Sequence, residues 1–113
     1  METIIAEIVG KFIKNICEII AGGGNFSEIE ETSLREAKSC VARMMEAYAE
    51  RVDAEIVADR TARREAGYRV ERRGDERRIQ TQLGEVGYRR TYFQKASGGY
   101  EYLTDTILGG NSV

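Results

Sequence analysis

The chain contains no histidine, no proline and no tryptophan, and only two cysteines, in 113 residues. Without histidine there is no imidazole acid–base chemistry. Cys17 and Cys40 alone fall short of the about four nitrogen or sulfur ligands that a zinc site requires. They read as buried small apolar residues in a reducing cytoplasm. No phosphate loop, dinucleotide fingerprint or nucleophile–base pair occurs, and Gly22-Gly23-Gly24 has neither a preceding strand nor a following lysine. The expectation is therefore no catalytic residue, no metal, no cofactor and no small-molecule substrate. The lack of proline favours long unbroken helices. Residues Ile4 to Ala21 are rich in isoleucine, but Glu7, Lys11, Lys14 and Glu18 interrupt them and no basic leader precedes them. This predicts no targeting signal, no membrane segment and a cytoplasmic location.

What is present is segregated charge. Met1 to Asp59 carry 12 acidic against 6 basic residues, whereas Arg60 to Lys95 carry 11 basic against 5 acidic, inside a formal net charge of -2. The arginine-rich half can contact phosphate locally even though the whole chain is mildly acidic.

Apolar residues at Ile4, Ile8, Phe12, Ile16 and Ile20, with Ile5, Val9, Ile13 and Cys17 beside them, predict a first helix over about Thr3 to Ala21 with a broad apolar stripe. The three glycines end it. Asn25 with Glu28, or Ser27 with Glu30, has capping-box spacing for the start of a second helix. With no glycine or proline before Ala66, that helix is expected to run about 40 residues, near 60 Å. Leu34, Ala37, Val41, Met44 and Tyr48 follow a heptad seam that slips to Val52 and Ile56, and the first helix is too short to cover it. Three outcomes are open: self-association into a homo-oligomer through the two helices, which is the one favoured, a monomer whose sheet folds back over the seam, or more of the polypeptide laid on it. Glu46, Glu50 and Asp53 share a helical face, which beside Arg43 and Arg51 reads as solvated and laced with ion pairs rather than as a metal site.

After Gly67 the period becomes two. Tyr68, Val70 and Arg72 form one row of a strand, and Gly74-Asp75 is expected to turn the chain. A hairpin with Gly84-Glu85 as its two-residue type II′ loop comes next, in which Leu83 faces Val86, Thr81 faces Tyr88, Ile79 faces Arg90 and Arg89 lies beside Gln80. Ser97-Gly98-Gly99 turns into a last strand, Tyr100 to Leu103, and Thr104 to Leu108 begin a helix cut off by Gly109-Gly110. The reading is α+β: a helical hairpin over 1–66, a three- or four-stranded antiparallel meander over 67–103, and a helix start over 104–113, within one domain.

The sheet arginines Arg69, Arg72, Arg73, Arg77, Arg78 and Arg89 are interleaved with aromatics, a pattern suited to gripping phosphates and stacking bases. The alternative is arginine stems covering tyrosine rings across strands. Gly84, Tyr88, Tyr92 and Arg90 are assigned structural roles. Arg90 is read as an inward arginine that either meets a carboxylate or stacks over Tyr88 and Tyr92.

These stretches also carry a resemblance. Met1-Glu2-Thr3-Ile4-Ile5, Phe26-Ser27-Glu28-Ile29-Glu30, the segment from Leu83 to Phe93, Tyr100-Glu101-Tyr102-Leu103 and Leu108-Gly109 resemble the N-terminal region of bacterial insertion-sequence transposases of the Lre type. That group is also catalogued as an uncharacterised protein family. The resemblance implies a DDE-type acidic triad in a ribonuclease-H-like domain that would lie beyond Leu108, so no catalytic residue carries over and the chain reads as a truncated copy. It implies a non-catalytic fragment that helps bind transposon-end DNA or assembles subunits in DNA transposition. The other expectation is a dimerising interaction module, or remnant, without DNA contact.

Overall fold

The computed structural model describes residues 2–109. Its α+β order is α1 (Glu2–Gly22), α2 (Phe26–Ala58), α3 (Arg60–Glu65), β1 (Tyr68–Thr81), β2 (Gly84–Lys95), β3 (Tyr100–Glu101) and α4 (Leu103–Leu108). Asn25 decides where α2 begins. Its side chain accepts the Glu28 amide at 2.9 Å, and Glu28 reaches back to the Asn25 amide at 3.4 Å. The reciprocal box forms at Asn25, not at Ser27, because it satisfies an orphan donor in each direction.

The helix expected to reach Ala66 stops instead at Ala58. Asp59 leaves helical geometry (φ -82°, ψ 74°), and its carboxylate accepts the Ala62 amide, so one residue ends α2 and caps α3. A short acid that bonds nearby backbone offers the chain an alternative to continuing the helix, with no glycine or proline needed.

The sheet has three antiparallel strands in the order β1-β2-β3. Gly74-Asp75 is not a turn. It lies in a bulge of one long strand, with register shifts on either side of Arg72 and Gly74 at φ 84°. The hairpin loop also moves: the turn residues are Gln82-Leu83, and Thr81 pairs with Gly84, Ile79 with Val86, Arg77 with Tyr88, Glu76 with Arg89 and Asp75 with Arg90. The Thr81 hydroxyl accepts the Leu83 amide at 3.0 Å and donates to the Gly84 carbonyl at 2.9 Å, which fastens the bend two residues earlier than a Gly84-Glu85 loop. No non-glycine residue among those described has positive φ, and Gly84 supplies it just after the bend, at 100°. That is the logic of a type I turn followed by a glycine bulge. A slip by an even number of residues keeps each side chain on its expected face and changes only its partner. The final strand is also shorter than expected, because Leu103 already begins α4.

The core lies where α2, β2 and α4 meet. Phe93, Thr91 and Thr104 are fully buried, with Val86, Tyr88, Ala42 and Ala49 around them. In contrast, α1 has no buried residue. Cys17 is exposed and Cys40 half-buried, which corrects the expectation that both are buried.

The face of α2 that carries Glu46, Glu50 and Asp53 is not merely solvated. Arg43 donates to the Glu85 carbonyl at 2.9 Å. The amides of Gly87, Arg89 and Thr91 donate to Glu46, Glu50 and Asp53 at 2.7, 3.0 and 2.8 Å. Alternate residues of a strand turn their backbone groups to the same edge, so α2 runs along the side of β2 that β1 does not use. Where this ladder stops, β3 takes over, pairing with Phe93 and Gln94.

Candidate nucleic-acid interface

The six arginines singled out in the sheet do not form one cluster. Arg77 is buried, 8% exposed, and donates to the Tyr88 hydroxyl at 2.7 Å and to the Gly109 carbonyl at 2.9 Å. It belongs to the core, which removes it from the phosphate-contact set. Arg72 forks onto Asp75 at 2.9 and 3.0 Å while its guanidinium carbon sits 4.4 Å from the Tyr92 ring centre. Arg78 is held between Glu76 at 2.8 Å and Glu85 at 2.9 Å. Arg73, at the bulge, and Arg89 are exposed, with no ion pair to their side chains among the described residues.

Arg90 meets a carboxylate, one of the two roles expected of it. It donates to both oxygens of Asp105 at 3.1 and 3.2 Å and to the Asp75 carbonyl at 2.9 Å. Its ring partner is Tyr102, with the guanidinium carbon 3.7 Å from the centroid, and not Tyr88 or Tyr92. The register explains the difference, since Arg90 lies opposite Asp75 and beneath the entry to α4. Tyr88 donates its hydroxyl to Asp105 at 2.7 Å. Asp105 thus ties Arg77, Tyr88 and Arg90 together and fastens α4 to the sheet. Burial pushes the Tyr88 hydroxyl above the ordinary tyrosine range, with the Asp105 bond acting the same way.

Two open grooves flank the sheet near these arginines. The one beside the hairpin, about 850 Å³, is lined by Arg35, Lys38, Arg43, Arg78 and Arg89 but also by Glu46, Glu50, Glu76 and Glu85, which nearly cancel them. Four carboxylates beside the cations make it a poor seat for a polyanion. The other, about 820 Å³, lies between α3, the start of β1 and the end of β2. Arg60, Arg63, Arg64, Arg69 and Lys95 line it, together with Tyr68, and no acidic residue does so among the described residues. Arg63 donates to the Val57 carbonyl at 3.2 Å, yet its Nε is shielded from solvent and finds no acceptor among the described residues. A shielded donor without an acceptor is costly.

An aromatic stack adjoins this groove. Arg69 pairs across the sheet with Gln94, which bonds its guanidinium, and Gln94 pairs with Tyr100. Tyr100 stacks on Tyr92 at 5.0 Å and 12°, and Tyr92 lies 4.7 Å from Tyr102. The outer ring, Tyr100, is 47% exposed. Of the groove's cations, only Arg69 is among those singled out from the sequence. Arg60, Arg63, Arg64 and Lys95 were missed, although arginines at i, i+3 and i+4 were visible as one helical face.

The fold and the groove define an α+β domain with a cationic cleft at one end of its sheet. Among the described residues no cluster of His, Cys, Asp and Glu could hold a metal ion, and no helix is long and apolar enough to cross a membrane. The chain belongs to the uncharacterised protein family UPF0236, whose family model matches residues 19–112. It is 35% identical over 108 residues to UPF0236 protein TTE2489 of Caldanaerobacter subterraneus subsp. tengcongensis, an overlap of 92% of this chain and 21% of that protein. It is 34% identical to UPF0236 protein TTE1650/TTE2708 of the same organism, over 92% of this chain and 19% of that one. The chain thus spans about a fifth of the length of these relatives. No solved structure matches it significantly.

Proposed function

We propose that the chain is the N-terminal DNA-binding and assembly segment of a longer transposase-like bacterial protein that acts in DNA transposition in the cytoplasm, and that it is not catalytic by itself. The transposase reading comes from the sequence resemblance. The observation that supports DNA contact is the groove of five basic side chains with no acidic residue lining it among those described. Phosphodiester oxygens match its charge. The neighbouring Tyr100 face adds a surface on which an unpaired base can stack, so a melted or frayed end fits better than a uniform duplex.

The test is fluorescence-anisotropy titration of labelled DNA, duplex and single-stranded, across a series of salt concentrations. Binding should weaken linearly in log–log form, and the Arg60→Ser/Arg64→Ser double variant should reduce the slope by about 2 together with the affinity. Arg78→Ser, whose side chain is already held by two glutamates, should leave both unchanged. No binding overturns the reading and leaves an interaction module without DNA contact, and binding indifferent to Arg60 and Arg64 overturns the groove as the contact surface.

A further inference from the structure

Seven large apolar side chains remain about half exposed on the helical hairpin; Ile4 lines the groove towards the sheet, and the other six are Ile13, Ile20, Leu34, Val41, Met45 and Tyr48. Their positions are not scattered. Nine residues make about two and a half helical turns, so residues nine apart point in opposite directions. On α2, Arg43 and Glu50 reach the edge of β2, and Leu34 and Val41 precede them by nine residues each. On α1, Ile4 and Lys11 line the groove that α1 and α2 form on the side of Gly87, and Ile13 and Ile20 lie nine residues beyond them. Both apolar stripes therefore face away from the sheet. They make one apolar face two helices wide, with nothing from the described residues laid across it.

We infer that this face is the seat of a second copy of the chain, packed hairpin against hairpin about a two-fold axis to form a four-helix bundle. Three observations select a second copy. The six side chains are 40% to 58% exposed. At roughly 200 Å² per large apolar residue they offer on the order of 600 Å² per copy, and covering all of it in two copies reaches about 1,200 Å², the lower bound of a specific interface. The face runs across both helices and opposes itself without any element needing to move, as an isologous contact requires. In addition, α1 buries no residue in a single copy, although most of one side of it is isoleucine. A bundle is the arrangement that gives such a helix a second neighbour. Self-association of this kind does not rest on DNA binding, because the groove and the apolar face share no residue.

The experiment is sedimentation equilibrium of the full chain from about 1 to 500 μM, with circular dichroism on every sample. Expected is reversible conversion from 12.7 kDa to twice that mass. Val41→Glu and Ile13→Glu, each at an exposed position, should keep the helical signal and raise the dissociation constant by about 100-fold. Ile107→Ser, on α4 and 62% exposed, should change nothing. A monomer at every concentration overturns the inference and gives the face to another segment or partner. A dimer that survives both glutamates also overturns it, by placing the contact elsewhere. The DNA titration repeated on Val41→Glu reads the two proposals separately, since groove contacts should persist in the monomer.

Discussion

Asp53 is a buried carboxylate, 6% exposed, and it is satisfied by backbone and hydroxyl donors rather than by an ion pair. It accepts the Thr91 amide at 2.8 Å, the Thr91 hydroxyl at 2.7 Å and the Thr104 hydroxyl at 2.7 Å. One side chain of α2 thereby holds β2 and α4, and it does so at the centre of the core. A buried charge is tolerated when enough donors converge on it, and losing the acceptor leaves every donor stranded. Asp53→Ala should lower unfolding stability by about 3 kcal/mol or more. Urea unfolding followed by circular dichroism checks this, and a loss below about 1 kcal/mol would show that the three bonds do not anchor the core. Asp53→Asn should fall between, because an amide keeps one acceptor but turns two donors towards donors. This role was not visible in the sequence. Thr91 and Thr104 lie 38 and 51 residues away, and nothing local distinguishes Asp53 from the exposed acids around it.

At the level of elements, α2 replaces a strand. Its side chains close the edge of β2 that β1 leaves open, and Ala42 and Ala49 are small enough to let the helix come near. An edge with unpaired amides is a template for pairing with other chains, and natural sheets cover or charge such edges. The free edge of β1 is managed differently, by the bulge around Gly74 and by exposed Arg73, Glu76 and Arg78. Glu46→Ala/Glu50→Ala should uncover two adjacent amides of β2. The expected result is faster amide exchange at Gly87 and Arg89 and a rise in thioflavin-positive aggregation on mild heating, with α1 unaffected. Unchanged exchange at those two amides would show that the ladder is not what protects the edge.

What could be read in the sequence divides along the same line. A capping box at Asn25 or Ser27 and the glycine stop after α1 were legible, because caps are local and depend on residues within one turn. The α+β order was legible from the change of period at Gly67. The hairpin loop was misplaced because Gly84-Glu85 and Gln82-Leu83 give the same alternation of faces, and only the Thr81 hydroxyl separates them. The end of α2 was misplaced because Asp59 is an ordinary helix-surface residue until its side chain turns back to Ala62. The cationic groove was overlooked because α3, β1 and β2 each contribute only part of it.

The whole molecule is elongated, 61 × 29 × 17 Å with a radius of gyration of 18.3 Å. A compact chain of this length would have about 13 Å. The hairpin of α1 and α2 projects from a small core, so stability rests heavily on the polar network that joins the sheet to α4. That network sets a pH window. Its bond to Arg72, with Tyr102 assisting, holds the Asp75 carboxyl below the ordinary range, and the bond from Tyr68 does the same for Glu101. Carboxyls depressed in the folded state stabilise it above their unfolded pKa of about 4 and lose that contribution as the pH falls further. Tyr88 and Tyr102 are raised mainly by burial, and Tyr68 mainly by its bond to Glu101. Groups raised in this way stabilise below an unfolded pKa of about 10, and that contribution is lost as the pH climbs past it. Stability measured by urea titration should therefore be flat between about pH 5 and 9 and fall on both sides. Asp75→Asn should flatten the acid limb in particular, and an acid limb unchanged in that variant would remove Asp75 as a cause.

The unbroken run of α2 has one more consequence. Its 33 residues carry the outward apolar stripe, the carboxylates along β2 and, one residue past its end, the cap that leads into the first arginine of the groove. The helix is therefore a ruler graduated in residues. Each added residue advances the downstream chain by about 1.5 Å and turns it by about 100°. From Tyr48 to Ala58, the end of α2, the rise is about 15 Å, so residue count spaces the groove from the hairpin face. A single-residue insertion between Tyr48 and Asp53 would put the two surfaces out of phase and turn Asp53 away from the Thr91 amide.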